Sequence, residues 1–201
     1  MAYRKILRVQ YRTIFRNLGW LFMSFSGLLM LPVIVCIFYP DEIGNSLPFV
    51  ESAALSFILG YLLWHLFQKD TKNQKLTIHE GAIIVFFAWI GAVFFSALPF
   101  VFGNLLNFTH AVFESTSGWT TTGLTMVDEE AIPRIFLIWR SLMQYFGGAG
   151  FAIIMLSSIG GGVSSGIYAA EGRLDNLQPN IKKSTKTILK IYFTYAIGGI
   201  I

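Results

Sequence analysis

Residues 117–125 read Ser-Gly-Trp-Thr-Thr-Thr-Gly-Leu-Thr, an uncharged, threonine-rich stretch between two long apolar segments. A run without charge is unusual for a hydrophilic loop, but it suits an extended backbone whose carbonyl oxygens face one axis. Oxygens at fixed spacing can replace the water around a dehydrated cation. Gly123 lacks a Cβ atom, so it can take a positive φ and turn a carbonyl inward. The stretch predicts one strand of a cation selectivity filter; an outer loop with locally hydrogen-bonded threonines is the alternative.

The composition of the whole chain indicates a membrane protein. Of 201 residues, 54% are hydrophobic and only 13% are charged, and the mean hydropathy is +0.60. Soluble domains average about a quarter charged residues. Several apolar windows are about twenty residues long, which is enough for a helix to cross the lipid bilayer. The sequence therefore predicts an all-α polytopic membrane protein.

Other classes of protein are disfavoured. The net charge of +4 does not indicate nucleic acid, because the basic residues flank apolar spans and form no stripe on a soluble domain. Cys36 is the one cysteine, so we expect neither an intramolecular disulfide nor a metal cluster nor a cofactor. An enzyme is also disfavoured, because His110, Glu114 and Asp128 near the threonine run have no recognisable catalytic spacing.

Apolar windows and polar segments divide the chain. We expect spans at 18–39, 48–67, 81–101 and 135–159, followed by a shorter apolar segment at 188–201. The predicted units are two leading transmembrane helices with the N-terminus at 1–78, a helix–loop–helix repeat at 79–160, a cytoplasmic loop at 161–187 and the start of a second repeat at 188–201. Pro32 is expected to kink the first span and Pro99 to lie where the third one ends. Because the last segment is shorter than a span, we expect an N-terminal part of a longer protein.

Charge predicts the orientation of these spans. Thirteen of the fifteen basic residues lie in the segments 1–17, 68–80 and 160–190. Lys and Arg favour the cytoplasmic side, so these segments and the N-terminus are expected there. The threonine run then faces outward, and the number of spans fits only if 102–133 enters and leaves the membrane on one side. The sequence therefore predicts a re-entrant segment.

A short helix is expected within the re-entrant segment, before the threonine run. Asn107 or Thr109 can cap it, and Gly118 is expected to stop it. Its C-terminus would point toward the membrane centre, where the partial negative charge of the helix end favours a cation. Thr120 is expected to support the filter. The predicted ion ligands are the backbone carbonyl oxygens of Thr121, Thr122, Gly123 and Leu124, with a threonine hydroxyl at the cytoplasmic end.

Two ionisable residues at membrane depth fit the same interpretation. Glu114 lies on the short helix, and Arg140 lies about a turn and a half into the fourth span. A charge at that depth costs several kcal/mol unless it is paired or solvated. A Glu114–Arg140 pair behind the filter would satisfy both charges and brace the loop. Separate snorkelling of the two side chains to the outer interface is the alternative.

Gly147, Gly148 and Gly150 interrupt the fourth span. Small residues let helices approach closely, and glycine also loosens a helix that must bend. Close packing and flexibility for gating are therefore both compatible with this cluster.

Three stretches resemble a known family. Residues 113–125, Phe-Glu-Ser-Thr-Ser-Gly-Trp-Thr-Thr-Thr-Gly-Leu-Thr, resemble the first filter of the Trk/Ktr/HKT superfamily of potassium transporters. Residues 139–150, Trp-Arg-Ser-Leu-Met-Gln-Tyr-Phe-Gly-Gly-Ala-Gly, resemble the helix that follows it, and residues 168–173, Tyr-Ala-Ala-Glu-Gly-Arg, resemble the bacterial TrkH branch. With the two leading spans, the resemblance covers nearly the whole chain.

This resemblance implies a pore of four helix–pore-loop–helix repeats in one chain, of which this sequence holds the first. It implies potassium uptake across the cell membrane, with K⁺ as the substrate ion and Gly123 as the residue that accompanies potassium preference. It also implies a homodimer and a cytoplasmic nucleotide-binding regulatory subunit, TrkA. A non-conducting structural or anchoring subunit is the alternative, and within transport the sequence fits channel-like flow as well as uptake coupled to protons or sodium.

Overall fold

The computed structural model describes residues 2–68 and 78–149, together with seven positions from 187 to 198. Over these residues all regular structure is helical, as predicted. The α-helices are α1 (Ala2–Met30), α2 (Val35–Phe38), α3 (Leu47–Phe67), α4 (Ile78–Phe102), α5 (Phe108–Trp119) and α6 (Arg134–Ala149), and 3-10 helices cover Leu31–Ile34 and Pro40–Ser46. The predicted loop at 161–187 and the predicted second repeat lie outside the described residues, apart from those positions.

Three stretches of the described chain are long and apolar enough to cross a membrane: Tyr11–Phe38, Pro40–Phe67 and His79–Phe102. They correspond to the first three predicted spans. The fourth predicted span, 135–159, is described as far as Ala149. Helix α1 begins at Ala2, well before the predicted span at 18–39, because a helix can continue into the basic segment beyond the apolar window.

The two prolines lie at helix ends. Helix α1 stops at Met30, and Pro32 occupies the 3-10 turn that follows, where its missing N–H costs no α-helical hydrogen bond. Pro99 lies in the last turn of α4, and its carbonyl oxygen accepts the N–H of Gly103 at 2.9 Å. Pro32 therefore interrupts the helical structure of the first candidate span, Tyr11–Phe38, before its end, and Pro99 lies near the end of the third one, as predicted.

Helices α1 and α3 form a hairpin in which two glycines let the backbones touch. A Cβ atom on Gly19 would lie 2.6 Å from the carbonyl oxygen of Gly60, and one on Gly60 would lie 2.7 Å from the carbonyl oxygen of Gly19. The hydroxyl of Ser56 also donates to the carbonyl oxygen of Phe22 across this contact, at 2.9 Å. We call α1, α3 and the turn between them the leading hairpin.

Buried aromatic rings join the leading hairpin to α5 and α6. The ring of Phe25 on α1 lies 5.9 Å from Trp119 and 6.5 Å from Trp139. The ring of Phe49 on α3 lies 5.0 Å from Phe136 and 6.1 Å from Trp139. These five side chains are almost fully buried, so the leading hairpin forms one wall against which the threonine run is positioned.

Candidate functional site

Helix α5 begins at the predicted cap and ends one residue beyond the predicted stop. Asn107 is extended, and its side-chain oxygen accepts the N–H of His110 at 2.9 Å, whereas Thr109 lies inside the helix. The prediction that Gly118 stops the helix is wrong, because α5 continues to Trp119. A Cβ atom on Gly118 would lie 3.1 Å from the Cβ of Met143, so the absence of a side chain at Gly118 allows α6 to pack closely against α5.

Trp119 holds the end of α5 against the middle of α4. Its indole N–H donates to the hydroxyl of Ser96 at 2.8 Å, and its ring lies 6.3 Å from Trp89. The carbonyl oxygen of Ser96 in turn accepts the indole N–H of Trp139 at 3.2 Å. Because a helix rises about 1.5 Å per residue, Trp89 lies roughly 20 Å from the end of α4 at Phe102. The end of α5 therefore lies about halfway along a candidate membrane span.

The chain reverses immediately after α5. Thr121 has a φ of 56°, which is rare for a β-branched residue, and Gly123 has a φ of 81°. The N–H of Thr121 donates to the carbonyl oxygen of Gly118 at 3.1 Å, and the N–H of Thr122 donates to that of Ser117 at 3.0 Å. These hydrogen bonds turn the amide groups back onto the helix end.

The carbonyl oxygens of the run differ in their hydrogen bonding. Within the described residues, no donor reaches the carbonyl oxygens of Thr121, Thr122 or Gly123, and all three residues are exposed. The carbonyl oxygen of Leu124 accepts the hydroxyl of Ser117 at 2.6 Å. A carbonyl oxygen has two lone pairs, so Leu124 keeps one for a further partner.

The hydroxyl of Thr120 links the helix end to the threonine run. It donates to the carbonyl oxygen of Thr116 at 2.8 Å and lies 2.7 Å from the hydroxyl oxygen of Thr122. The part of the chain that the structure describes contains no group of three or more His, Cys, Asp or Glu side chains that could hold a metal ion. Backbone carbonyl and threonine hydroxyl oxygens are therefore the candidate cation ligands here.

Glu114 and Arg140 form a buried ion pair in which Nε and Oε1 are 2.6 Å apart. The carboxylate of Glu114 also accepts the hydroxyl of Thr125 at 3.0 Å and the N–H of Met126 at 2.7 Å. Glu114 is 2% exposed, so nearly all of its hydrogen bonding comes from the protein. The pair thus fixes the end of the threonine run, at Thr125 and Met126.

Sequence reasoning missed two side chains of this arrangement. Glu129 accepts a second hydrogen bond from Arg140, at Nη1, with an oxygen–nitrogen distance of 2.5 Å, and its side chain is 59% exposed. Ser117, which holds Leu124, follows Glu114 by three residues and therefore lies on the same side of α5. That spacing could have indicated Ser117, whereas an acid such as Glu129 in a loop carries no comparable signal.

A second group of contacts, which was not predicted from the sequence, joins the turn of the leading hairpin to α6. The carboxylate of Glu42 accepts the backbone N–H of Arg134 at 2.9 Å and the amide of Asn45 at 3.0 Å. The guanidinium carbon of Arg134 lies 4.3 Å from the centre of the Tyr39 ring. We call Tyr39, Glu42, Asn45 and Arg134 the outer clasp. In the sequence, Glu42 and Arg134 stand out only as charges in loops.

Gly147 lies inside α6, where this helix crosses the end of α5. A Cβ atom added to Gly147 would overlap the carbonyl group of Trp119. Of the two roles that the glycine cluster allowed, the geometry at Gly147 supports close packing. Gly150 lies outside the described residues.

The chain is similar to several known proteins. The sequence model of the TrkH family, described as a cation transport protein, matches residues 46–201. The Trk system potassium uptake protein TrkH of Escherichia coli K12 is 35% identical over 203 residues, which cover 94% of this chain and 40% of that protein. An uncharacterised cation transporter of Methanocaldococcus jannaschii is 30% identical over 207 residues, which cover 100% of this chain and 42% of that one.

A solved structure is similar as well. The crystal structure of the potassium transporter TrkH from Vibrio parahaemolyticus superimposes with a TM-score of 0.73 at 29% sequence identity. The match covers 94% of this chain and 38% of that one. The chain therefore spans about two fifths of the length of these relatives.

Proposed function

Since this chain belongs to the TrkH family of cation transport proteins, we propose that it supplies the first of four selectivity-filter segments of a potassium uptake protein. The names of its relatives in Escherichia coli and Vibrio parahaemolyticus support potassium as the transported ion. The proposed protein spans the cell membrane several times, with the N-terminus in the cytoplasm. Its transported K⁺ is a substrate and not a resident cofactor.

The course of residues 103–133 supports the proposal of a re-entrant segment. At one end, a Cβ atom on Gly103 would lie 3.6 Å from the ring of Pro48, at the start of α3. At the other end, Arg134 is hydrogen-bonded to Glu42 in the turn that precedes α3. Between them, Trp119 lies beside the middle of α4. This course supports a segment that enters from the outer side, reaches mid-depth and returns.

The observation that carries the proposal is that, among the described residues, no donor reaches the carbonyl oxygens of Thr121, Thr122 and Gly123. A backbone carbonyl at membrane depth costs several kcal/mol when it has no partner, so irregular backbone occurs there only beside protein or a wet cavity. A dehydrated K⁺ in such a cavity would supply the missing partner. We propose these three carbonyl oxygens as ligands, with that of Leu124 shared between the ion and Ser117.

We propose that Thr120, Glu114 and Arg140 support the filter without binding the ion. The hydroxyl of Thr120, at the end of α5, is hydrogen-bonded to that of Thr122, and the carboxylate of Glu114 accepts a hydrogen bond from Thr125, just after the proposed ligands. Both ends of the ligand row are thus attached to α5, while its middle stays unpaired. Ion discrimination needs carbonyl oxygens at a set spacing, and fixed ends supply it.

One segment supplies only one side of an ion cage, so we propose that three further segments of the full-length protein supply the others. By the same family relationship we propose a homodimer and a cytoplasmic nucleotide-binding regulatory subunit that resembles TrkA. A non-conducting structural or anchoring subunit is the competing function. It differs in one measurable respect, because changes at Gly123 would then leave ion flux unaltered.

The test is uptake of potassium and sodium by potassium-starved cells that express the full-length protein, with and without Gly123→Ser. A side chain at a φ of 81° strains the backbone by about 1–2 kcal/mol, so the neighbouring carbonyl groups should rotate. We expect potassium uptake by the parent and a loss of potassium over sodium preference in the variant. Gly27→Ser is the matched control, because Gly27 is exposed on α1 and an added Cβ meets nothing within 4 Å.

Two outcomes would contradict the proposal in different ways. If the parent raised neither potassium nor sodium uptake above that of untransformed cells, the non-conducting alternative would hold. If Gly123→Ser and Gly27→Ser both transported like the parent, Gly123 would be a turn residue, and selectivity would depend on other segments.

A further inference from the structure

We infer that the outer clasp is a positioning device for the filter, through which the leading hairpin contributes to ion discrimination without touching the ion. This inference rests on the proposed function. Its central residue is Glu42, which lies in the turn between α1 and α3 and is hydrogen-bonded to α6, 92 residues further along the chain. The leading hairpin would thus do more than add two membrane spans to the filter repeat.

Glu42 is built into this contact and is not a loose surface acid. The residue is 6% exposed, and each carboxylate oxygen has its own partner, Arg134 for Oε1 and Asn45 for Oε2. The N–H of Arg134 is one of the first N–H groups of α6, which have no partner inside their helix. A carboxylate there satisfies the N–H group and also interacts favourably with the positive end of the helix dipole.

A short series of contacts connects the position of α6 with that of the proposed filter. Arg140 follows Arg134 by six residues, which corresponds to roughly 9 Å along α6. Arg140 pairs with Glu114 at 2.6 Å, and Glu114 holds both Thr125 and Met126. A shift of the first turn of α6 along its axis would therefore stretch the ion pair or move Thr125 and Met126, which follow the proposed ligands.

The apolar contacts of α6 cannot replace this hydrogen bond. Phe49 packs against Phe136 and Trp139, and such contacts hold the helix at a distance but are non-directional. The hydrogen bond between Glu42 and the backbone of Arg134 depends on both distance and angle. Together with the hydrogen bond from Trp139 to the carbonyl oxygen of Ser96, it limits movement of α6 along its axis, and such movement would shift Arg140 relative to Glu114.

The experiment compares Glu42→Gln, Glu42→Ala and Asp41→Asn in the full-length protein. The potassium-to-sodium uptake ratio is measured together with the amount of protein in the membrane. Glutamine can still accept the N–H of Arg134 but loses the charge and the acceptor for Asn45, so we expect the ratio to fall on the order of threefold in Glu42→Gln and more in Glu42→Ala. Asp41 is the exposed neighbour and its variant should keep the parental ratio.

A double variant tests whether Glu42 acts through the ion pair. If it does, Glu42→Gln should change the ratio little once Glu114→Gln is present, because the contact chain is already broken. Independent effects would multiply, and that result would overturn the inference. If Glu42→Ala fails to reach the membrane, Glu42→Gln alone decides, since it preserves the size of the side chain.

The outcomes separate this inference from the proposed function. A shifted ratio in Gly123→Ser with a parental ratio in Glu42→Gln and Glu42→Ala would overturn the role of the outer clasp and leave the filter proposal standing. Absence of potassium uptake by the parent would overturn both.

Discussion

Replacing Arg140 by glutamine is expected to destabilise the protein more than replacing its partner Glu114 by glutamine. In Arg140→Gln, the carboxylate of Glu114 stays 2% exposed and keeps only neutral donors, the hydroxyl of Thr125 and the N–H of Met126. In Glu114→Gln, the guanidinium of Arg140 keeps Glu129, which is 59% exposed and gives it access to water. The two halves of one ion pair are therefore unequal.

Typical energies of buried and exposed ion pairs give approximate sizes for these effects. Leaving one partner of a buried ion pair uncompensated costs about 3–5 kcal/mol, which we expect for Arg140→Gln. Loss of a charged hydrogen bond with a remaining charged partner costs about 1–3 kcal/mol, which we expect for Glu114→Gln. An exposed pair contributes about 0–1 kcal/mol, so Glu129→Gln is the matched control. The double variant Glu114→Gln/Arg140→Gln should lose less than the sum of the single losses.

Thermal unfolding of the purified full-length protein in one detergent measures this order. We expect the midpoint to fall in the order parent, Glu129→Gln, Glu114→Gln and Arg140→Gln, with the double variant above the sum of its parts. The potassium-to-sodium uptake ratio should fall in the same order. Equal midpoints for Arg140→Gln and Glu129→Gln would refute the reasoning, because the buried charge of Glu114 would then cost nothing when left alone.

Two further predictions concern the two ends of α5. Asn107→Ala should cost about 0.5–2 kcal/mol, because it removes the cap of α5, whereas Thr109→Ala should be nearly neutral; equal midpoints in thermal unfolding would contradict the observed cap. Gly147→Ala should cost about 1–3 kcal/mol, because its methyl group would overlap the carbonyl group of Trp119, whereas Gly27→Ala meets open space. If Gly147→Ala had a parental midpoint but altered uptake, flexibility and not packing would be the role of that glycine.

The membrane spans were predictable from the sequence because hydropathy is a property of single segments. Each apolar window contains its own signal, and the three windows that the structure describes in full are helices at the expected places. The start of α1 was not predictable in the same way. A helix that leaves the membrane keeps its hydrogen bonds in water, so hydropathy does not mark its end.

The ends of α5 could not be predicted fully from the local sequence. Sequence allowed Asn107 or Thr109 as the cap, since both residue types accept hydrogen bonds from a helix start, and only the backbone geometry distinguishes them. Gly118 was expected to end the helix through a positive φ, but Thr121 takes that conformation instead. Gly118 instead lets Met143 of α6 pack closely against α5. This is a tertiary contact, so the sequence around Gly118 does not indicate it.

The pairing of Glu114 with Arg140 was predictable because two charges in apolar segments have few alternatives to each other. The partners of Ser117 and Glu42 were not predictable. Ser117 donates to a backbone carbonyl oxygen and Glu42 accepts from a backbone N–H, and nearly every residue carries both groups. Charged partners can thus be inferred from sequence, whereas side chains that hold the backbone need coordinates.

The distribution of hydrogen bonds along residues 120–126 argues for a structural division within the proposed filter. Its first residue, Thr120, is hydrogen-bonded to α5, and so are Leu124 and Met126 at its other end. The carbonyl oxygens of the residues between them have no partner in the described part of the chain. A left-handed φ at Thr121 costs about 1–3 kcal/mol, and it persists only where neighbouring contacts hold it. The N–H groups of Thr121 and Thr122 are hydrogen-bonded to the end of α5, so the geometry of the proposed ligand row depends on that helix end and on the attachments at Leu124 and Met126. Substitutions at those ends should therefore alter ion preference although they remove no ligand, whereas a rigid ligand row would tolerate them.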